Sequence, residues 1–182
     1  MRYASIRSMD VSNGEGVGVA LFVQGCHFHC KDCFNQETWD FSGGKEWTEE
    51  VENKFMKLVS RPFIKRVSIL GGEPLADENV KVVRKLVERI KANFPEKIIW
   101  IYTGYTWEEI EPGTLMRGID KESNIYNARS RAVSTIDVLV DGRYKKEERD
   151  VGNRITHWAG STNQRIIDVQ KSLAAGRIIE KV

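Results

Sequence analysis

The chain has 182 residues, of which 41% are hydrophobic and 30% are charged. This length and composition predict one soluble globular domain, because the chain is too short for two ordinary domains. Lys and Arg number 28 against 26 Asp and Glu, and a net charge of +2 excludes the strong basic field that favours nucleic acid. The chain has neither a run of about 18 apolar residues nor an apolar N-terminal run, so we expect no membrane span and no signal peptide.

The predicted elements alternate between strands and helices along the chain. Apolar runs predict strands at 17–23, 66–70, 97–103 and 135–140. Thr48 is the predicted N-cap of a helix that continues to about Ser60, and Asp77 is the predicted cap of a second helix with one apolar face. A short helix is predicted at 107–110. Residues 120–134 and 142–165 are polar and predict loops, with a short strand at 165–168.

Strands separated by helices predict a parallel sheet with right-handed crossovers. We therefore expect an α/β fold, a partial, open (β/α) barrel of mainly parallel strands, with residues 1–182 forming a single domain. Functional sites in such folds lie at the carboxyl ends of the strands. Two motifs follow predicted strands directly in this way. They are the cysteines after the first strand and Gly71-Gly72-Glu73 after the second.

The three cysteines of the chain lie within eight residues, with the spacing Cys26-x3-Cys30-x2-Cys33. Three thiols cannot form a closed set of disulfides, because one is always left over. They can hold three irons of a [4Fe-4S] cluster and leave the fourth iron open to a substrate. A zinc site would need His27 or His29 as a fourth ligand, although zinc motifs usually come as two separated ligand pairs. The spacing favours the cluster, and we expect both histidines to be ordinary loop side chains.

Gly71-Gly72-Glu73-Pro74 has two interpretations. As a plain turn, it uses glycine for positive φ and proline for a stiff exit. As a binding loop, it would let a ligand approach the backbone and its free N–H groups, and Glu73 would accept a hydrogen bond from a ligand ammonium group. The motif in isolation favours the plain turn.

Taken together, these motifs resemble the radical S-adenosylmethionine (SAM) superfamily and, within it, the activating proteins of glycyl-radical enzymes. The resemblance is carried by Cys26-x3-Cys30-x2-Cys33-Phe34-Asn35, Asn13-Gly-Glu-Gly16 and Gly71-Gly-Glu-Pro-Leu75. Longer strings at 21–40, 101–107, 137–142 and 160–165 are similar to the branch of this family that activates anaerobic ribonucleoside-triphosphate reductase. These landmarks extend over about residues 10 to 170.

The resemblance implies two groups of site residues. The ligands of a [4Fe-4S] cluster would be Cys26, Cys30 and Cys33. The contacts to SAM would come from Asp32, Cys33, Phe34, Gly71, Gly72 and Glu73. Phe34 would contribute to the adenine pocket, Asp32 and Cys33 would contribute backbone contacts, and the Gly71–Glu73 loop would hold the methionine ammonium group.

The resemblance also implies a reaction and its partners. The amino and carboxylate groups of SAM would bind the open iron, and one electron from the cluster would split SAM into methionine and a 5′-deoxyadenosyl radical. That radical would take a hydrogen from a glycine Cα of anaerobic ribonucleoside-triphosphate reductase, the partner protein. The electron would come from a low-potential donor such as a flavodoxin-type protein. Reduced thiols without an export signal predict a cytoplasmic enzyme that works at low oxygen.

Two features depart from the family. Its run before the first strand is commonly Gly-Pro-Gly-x-Arg, whereas Glu15 and Gly18 stand here at the places of proline and arginine. The segment 117–134 is also longer than the resemblance predicts. Two other functions stay open, a radical SAM enzyme that acts on a small heterocycle and a non-catalytic zinc-binding adaptor. A partial barrel favours a protein substrate, because a glycine on a protein loop needs a lateral opening.

Overall fold

The computed structural model describes residues 1–113, 124–149 and 158–181. Its strands are β1 (Arg2–Asp10), β2 (Gly18–Val23), β3 (Lys45–Glu46), β4 (Arg66–Gly71), β5 (Ile98–Tyr102), β6 (Val138–Asp141) and β7 (Arg165–Asp168). Its α-helices are α1 (Glu49–Val59), α2 (Asp77–Asn93), α3 (Trp107–Ile110), α4 (Ile125–Thr135) and α5 (Val169–Ala175). Two short 3-10 helices lie at Gln36–Thr38 and Lys146–Glu148.

All seven strands form one mixed sheet in the order β3-β1-β2-β4-β5-β6-β7. The four inner strands β2, β4, β5 and β6 are parallel, as predicted. The outer strands are antiparallel to their neighbours, with β1 on β2, β3 on β1 and β7 on β6. The sheet ends at β3 on one side and at β7 on the other, so the described strands do not close into a ring. The α/β class is confirmed, and the sheet is open.

The helices pack on one face of the sheet. Side chains alternate across each strand, so Val19 and Leu21 of β2 join the main core with residues of α1, α2 and α4. Ala20 and Phe22 point to the opposite face, where they form a smaller cluster with Leu70 of β4. In the described parts of the chain no α-helix contributes to the clusters on this second side, which we call the helix-free face. Among the described residues, no helix is long and apolar enough to cross a membrane.

Several predicted element boundaries are confirmed. Thr48 caps α1, since its side chain accepts a hydrogen bond from the N–H of Val51 at 3.3 Å. The strands predicted at 17–23, 66–70, 97–103 and 165–168 correspond to β2, β4, β5 and β7, and the helix at 107–110 is α3. The cap assigned to Asp77 is wrong, because Asp77 lies in the first turn of α2 and Ala76 occupies the N-cap.

The largest correction concerns α4, which occupies 125–135 within the segment predicted to be a loop at 120–134. Asn124 caps this helix by accepting hydrogen bonds from the N–H groups of Tyr126 and Asn127. Because α4 continues through Thr135, β6 begins at Val138 rather than at residue 135. The rest of the predicted loop, 120–123, lies outside the described residues, as does most of the 117–134 segment's first half.

Candidate active site

The cysteines lie on a loop whose two ends are tied together by hydrogen bonds. Directly after β2, the buried side chain of Gln24 donates to the carbonyl oxygens of Glu37 and Asp40, at 3.2 and 2.8 Å. The N–H of Gly25 donates to Thr38 O at 2.7 Å, and the N–H of Cys26 donates to the carbonyl of Trp39 at 3.0 Å. Residues 24–40, which we call the cysteine loop, are thus closed by the protein's own polar groups.

All three thiols line one cavity of about 430 Å³ on the helix-free face. The cysteines are half-buried and unpaired in disulfides. Burial raises the pKa of Cys26 to about 11, and burial also raises the pKa of Cys30. Thiols with raised pKa values are protonated at neutral pH, so binding of iron here must release protons.

The donor set in this cavity fits an iron–sulfur cluster. Cys26, Cys30 and Cys33 all border the same space, and thiolates are the ordinary ligands of such clusters. Within the described residues, no three His, Cys, Asp or Glu side chains converge on a single point for one metal ion. A [4Fe-4S] cluster takes each thiolate on a different iron, and therefore needs three thiols around one space rather than at one point.

Neither loop histidine lines the cavity, and both have partners within the protein. His27 Nε2 lies 3.0 Å from Glu78 Oε1, and its ring centroid is 4.4 Å from that of Phe41. The ring of His29 stacks on Trp39 at 4.6 Å. These contacts agree with the interpretation of both histidines as loop side chains.

The Gly71–Glu73 loop, which we call the glycine loop of this chain, packs against the start of the cysteine loop. The N–H of Gly72 donates to Val23 O at 2.9 Å, and the N–H of Glu73 donates to Gly25 O at 2.7 Å. A Cβ added at Gly72 would lie 2.4 Å from that same oxygen of Gly25, and one at Gly71, whose φ is +105°, would lie 2.8 Å from Phe22 Cα. Close contact between the two backbone segments therefore requires glycine at positions 71 and 72. The N–H groups of Gly72 and Glu73 are both bonded within the protein.

The carboxylate of Glu73 is buried at the edge of the cavity and accepts three hydrogen bonds. The donors are the N–H of Leu75 at 2.8 Å, the hydroxyl of Thr103 at 2.7 Å and the N–H of Gly104 at 2.8 Å. Burial raises the pKa of Glu73 to about 7, although all three donors favour the ionised form. A carboxylate has about four acceptor positions, so one is left for a ligand.

Asn79 is a site residue that the sequence interpretation missed. Its buried side-chain amide donates to Gln24 O and to Glu73 O, both at 3.0 Å, and so joins the cysteine loop to the glycine loop. The only signal in the sequence is a polar residue beside Val80 at the start of an apolar helix face. Thr103 was missed as well, because nothing in its local sequence indicates a bond to Glu73.

Comparison with known proteins identifies the family. The family described as "4Fe-4S single cluster domain" matches residues 12–167. The chain is 38% identical over 166 residues to the anaerobic ribonucleoside-triphosphate reductase-activating protein of Vibrio cholerae serotype O1, covering 90% of this chain and 96% of that protein. The chain belongs to the family of anaerobic ribonucleoside-triphosphate reductase-activating proteins.

Two further relatives carry the same name as the Vibrio protein. That of Escherichia coli strain K12 is 34% identical over 166 residues, covering 90% of this chain and 96% of that protein. That of Enterobacteria phage T4 is 33% identical over 168 residues, covering 91% and 93%. The match spans nearly the full length of each, so membership of the activating-protein family extends to the whole fold.

In this member of the activating-protein family, Phe34 lies at the rim of the cavity and is 56% exposed. Its ring centroid is 5.0 Å from that of Tyr144, and the guanidinium of Arg149 lies 5.1 Å above it. The side chain of Asp32 points elsewhere, since its carboxylate lies 2.7 Å from Lys146 Nζ and this hydrogen bond lowers the pKa of Asp32.

The structure brings most of the predicted site residues together. Those that line the cavity are Cys26, Cys30, Cys33, Phe34, Gly71, Gly72 and Glu73. Asp32 stands outside the described lining. The segment predicted as loops at 142–165 contributes further lining residues, namely Gly142, Tyr144, Arg149, Trp158, Ala159, Gly160 and Gln164. The cavity therefore combines the carboxyl ends of the inner strands with the connection between β6 and β7.

Proposed function

We propose that this chain is a radical SAM activating enzyme that generates a glycyl radical on anaerobic ribonucleoside-triphosphate reductase. The observation that carries the proposal is the single cavity shared by three cysteines and the Gly71–Glu73 loop, in a chain whose relatives are named for activating that reductase. Bound together, a reduced [4Fe-4S] cluster and SAM supply a 5′-deoxyadenosyl radical, which takes a hydrogen atom from a glycine Cα of the reductase.

In this proposal, Cys26, Cys30 and Cys33 are the cluster ligands. Support comes from their common cavity and from the chemistry of thiolate donors. Glu73 accepts a hydrogen bond from the methionine ammonium group of SAM, which uses the one acceptor position that its three protein donors leave.

The remaining contacts to SAM are assigned by position. Phe34 offers an exposed aromatic face to adenine at the rim of the cavity. Asp32 and Cys33 contribute through their backbone, which suits Asp32 because its side chain is engaged by Lys146. Gly71 and Gly72 act by holding the glycine loop against the cysteine loop, so that Glu73 reaches the cavity.

The substrate of this enzyme is a loop of another protein. The cavity opens on the helix-free face, and we infer that the open sheet works as a partial, open barrel whose lateral opening admits an extended peptide. Residues 1–182 act as one radical SAM domain, which is supported by a single sheet whose strands begin at Arg2 and end at Asp168.

The electron source and compartment follow from the chemistry. A one-electron reductant of low potential is required, and a flavodoxin-type protein is the proposed donor. Three thiols without disulfide partners suit the reducing cytoplasm.

The test is anaerobic reconstitution with iron and sulfide, followed by incubation with a reductant, SAM and the reductase. The protein should bind about four irons per chain. The reductase should gain a radical whose electron paramagnetic resonance doublet collapses when its glycine is deuterated, and deuterium should appear in 5′-deoxyadenosine. Consumption of a small heterocycle without a reductase radical would support the small-molecule enzyme instead, and a colourless zinc protein would support the adaptor.

A further inference from the structure

Arg66, the first residue of β4, is a completely buried cation on the helix-free face. Its guanidinium lies 3.0 Å from the carboxylate of Asp10, which is itself buried. It also donates to the backbone carbonyls of Asn13 at 2.6 Å, Asp10 at 2.9 Å, Glu15 at 3.2 Å and Gly16 at 3.3 Å. One side chain therefore binds nearly the whole turn that connects β1 to β2.

This turn forms one wall of the cavity. Ser12 and Asn13 line the same space as the cysteines, at the end of β2 opposite to Cys26. Asn13 is fixed twice, since its N–H and its side-chain amide both donate to the carboxylate of Asp10, at 3.0 and 2.8 Å. Arg66 thus holds Asn13 directly through the carbonyl and indirectly through Asp10.

The guanidinium occupies the space above Gly18. Gly18 and Arg66 are paired in the register of β2 and β4, and a Cβ added at Gly18 would lie 2.8 Å from Arg66 Cζ. Gly14 is similarly limited, because its added Cβ would lie 2.7 Å from Arg66 Cδ. An arginine at position 18 would bring its own cation into this volume, which Arg66 already fills from the neighbouring strand.

We propose that Arg66 is a positioning residue that supplies the cation which an arginine at position 18 would otherwise supply, and that it fixes Ser12 and Asn13 as a polar wall of the cavity shared with the cysteines. The use of this wall in activation rests on the function proposed above. We call the replacement of an arginine at position 18 by Arg66 the exchange. It follows from the shared volume, because Asp10 and the turn need one cation, and a side chain on either β2 or β4 can place it there.

The test compares Gly18→Arg, Arg66→Gly and the double variant by thermal unfolding of the purified protein. Gly18→Arg should lower the melting temperature of the wild type, because two cations compete for one site. The same substitution should raise the melting temperature of Arg66→Gly, because the guanidinium introduced at position 18 then pairs with Asp10. A side chain at position 18 also meets the carbonyl oxygen of residue 66, which lies 2.8 Å from a Cβ there, so β2 and β4 must shift slightly in every variant that carries one. Gly18→Met is the uncharged control and should not rescue Arg66→Gly.

If Gly18→Arg rescues Arg66→Gly and Gly18→Met does not, the side chain at this site acts through its charge and does not merely fill space. If the double variant melts no higher than Arg66→Gly, or is unfolded together with it, the exchange is overturned. Equal rescue by Gly18→Met would overturn the requirement for a cation.

A second measurement addresses the wall. Hydrogen exchange at the Asn13 amide should accelerate by about 100-fold in Arg66→Gly, since removal of one partner of a buried ion pair releases the turn, and should slow again in the double variant. Unchanged exchange would overturn the positioning role. Both measurements use protein without cluster or reductase, so they stand apart from the test of activation. With the complete system, Arg66→Gly should form fewer glycyl radicals per SAM cleaved, and an unchanged ratio would overturn the use of this wall in activation.

Discussion

Glu73 combines burial with three hydrogen-bond donors, and burial prevails in setting its pKa. Since that pKa rises from 4.5 to about 7, the folded state binds a proton more tightly than the unfolded state does. The stability that this proton provides is fully present below about pH 4.5 and is lost as the pH rises through about 7, by up to about 3 kcal/mol. Urea unfolding of metal-free protein at about pH 5.5 and about pH 8 should show the loss.

The matched variants for this carboxylate are Glu73→Gln and Glu46→Gln. The first removes the titrating group and should flatten the dependence of stability on pH between these two values. The second changes a side chain that is 76% exposed on β3 and should leave the dependence as in the wild type. A dependence that persists in Glu73→Gln would assign it to a different group.

The cysteine ligands are tested one residue at a time. Cys26→Ala should lower the iron content of reconstituted protein and abolish SAM cleavage, because a cluster site with two thiolates does not hold its iron. His29→Ala is the control from the same loop, and should keep both properties because its side chain does not line the cavity. SAM cleavage at the wild-type rate by Cys26→Ala would show that the ligand assignment is wrong.

At the scale of elements, α2 fastens the two functional loops to each other through Asn79. Asn79→Ala removes two buried hydrogen bonds and leaves the carbonyl oxygen of Gln24 without this donor, so it should cost about 2–4 kcal/mol in the free energy of unfolding. The carbonyl oxygen of Glu73 keeps the N–H of Ala76 as a donor, at 3.2 Å. Asn93→Ala, at the exposed end of the same helix, should cost less than about 0.5 kcal/mol. Equal costs for the two variants would remove the fastening role.

We expect a substitution in the glycine loop to disturb the cysteine loop as well. The side chain added by Gly72→Val meets the backbone of Gly25, next to Cys26. Reconstituted Gly72→Val should therefore lose iron as well as affinity for SAM, as measured by iron analysis and equilibrium binding. Full iron content combined with lost SAM binding would indicate that position 72 touches the ligand alone.

The inner strands were predictable because their sequences are short apolar runs that end at glycine or a polar residue. β1 was not, because most of its side chains are only partly buried or exposed and it has no comparable run. α4 was missed for a related reason. Its sequence mixes Arg129, Arg131 and several hydroxyl side chains with few large apolar residues, and tertiary packing on α2 rather than local pattern makes it a helix.

The cysteines and the glycine loop were predictable because each is a compact motif with its own chemistry. Their contact was not, since it depends on the register of β2 with β4 and on the buried amide of Asn79. The partnership of Gly18 with Arg66 was hidden in the same way. The resemblance marked position 18 as a place where its family commonly has arginine, and only the parallel pairing of β2 with β4 shows that Arg66 lies beside it.

For the whole molecule, packing on one face of the sheet predicts a gradient of stability. β4 is almost entirely buried and so are the three middle residues of β5, whereas the two residues of β3 are exposed at the edge. Backbone amides of β4 and β5 should exchange with solvent only on global unfolding, and those of β3 at least about 100-fold faster. Native-state hydrogen exchange measures this directly, and similar rates in the inner and edge strands would contradict it.

The closed ends of the cysteine loop bear on how this protein is matured in a cell. Because Gln24, Gly25 and Cys26 tie residues 24–40 together with protein hydrogen bonds, we expect the chain to fold before the cluster is inserted. Cluster insertion then becomes a late step carried out on a folded acceptor. A protein molecule that loses its cluster to oxygen should therefore stay folded and regain activity when a new cluster is inserted, without new protein synthesis.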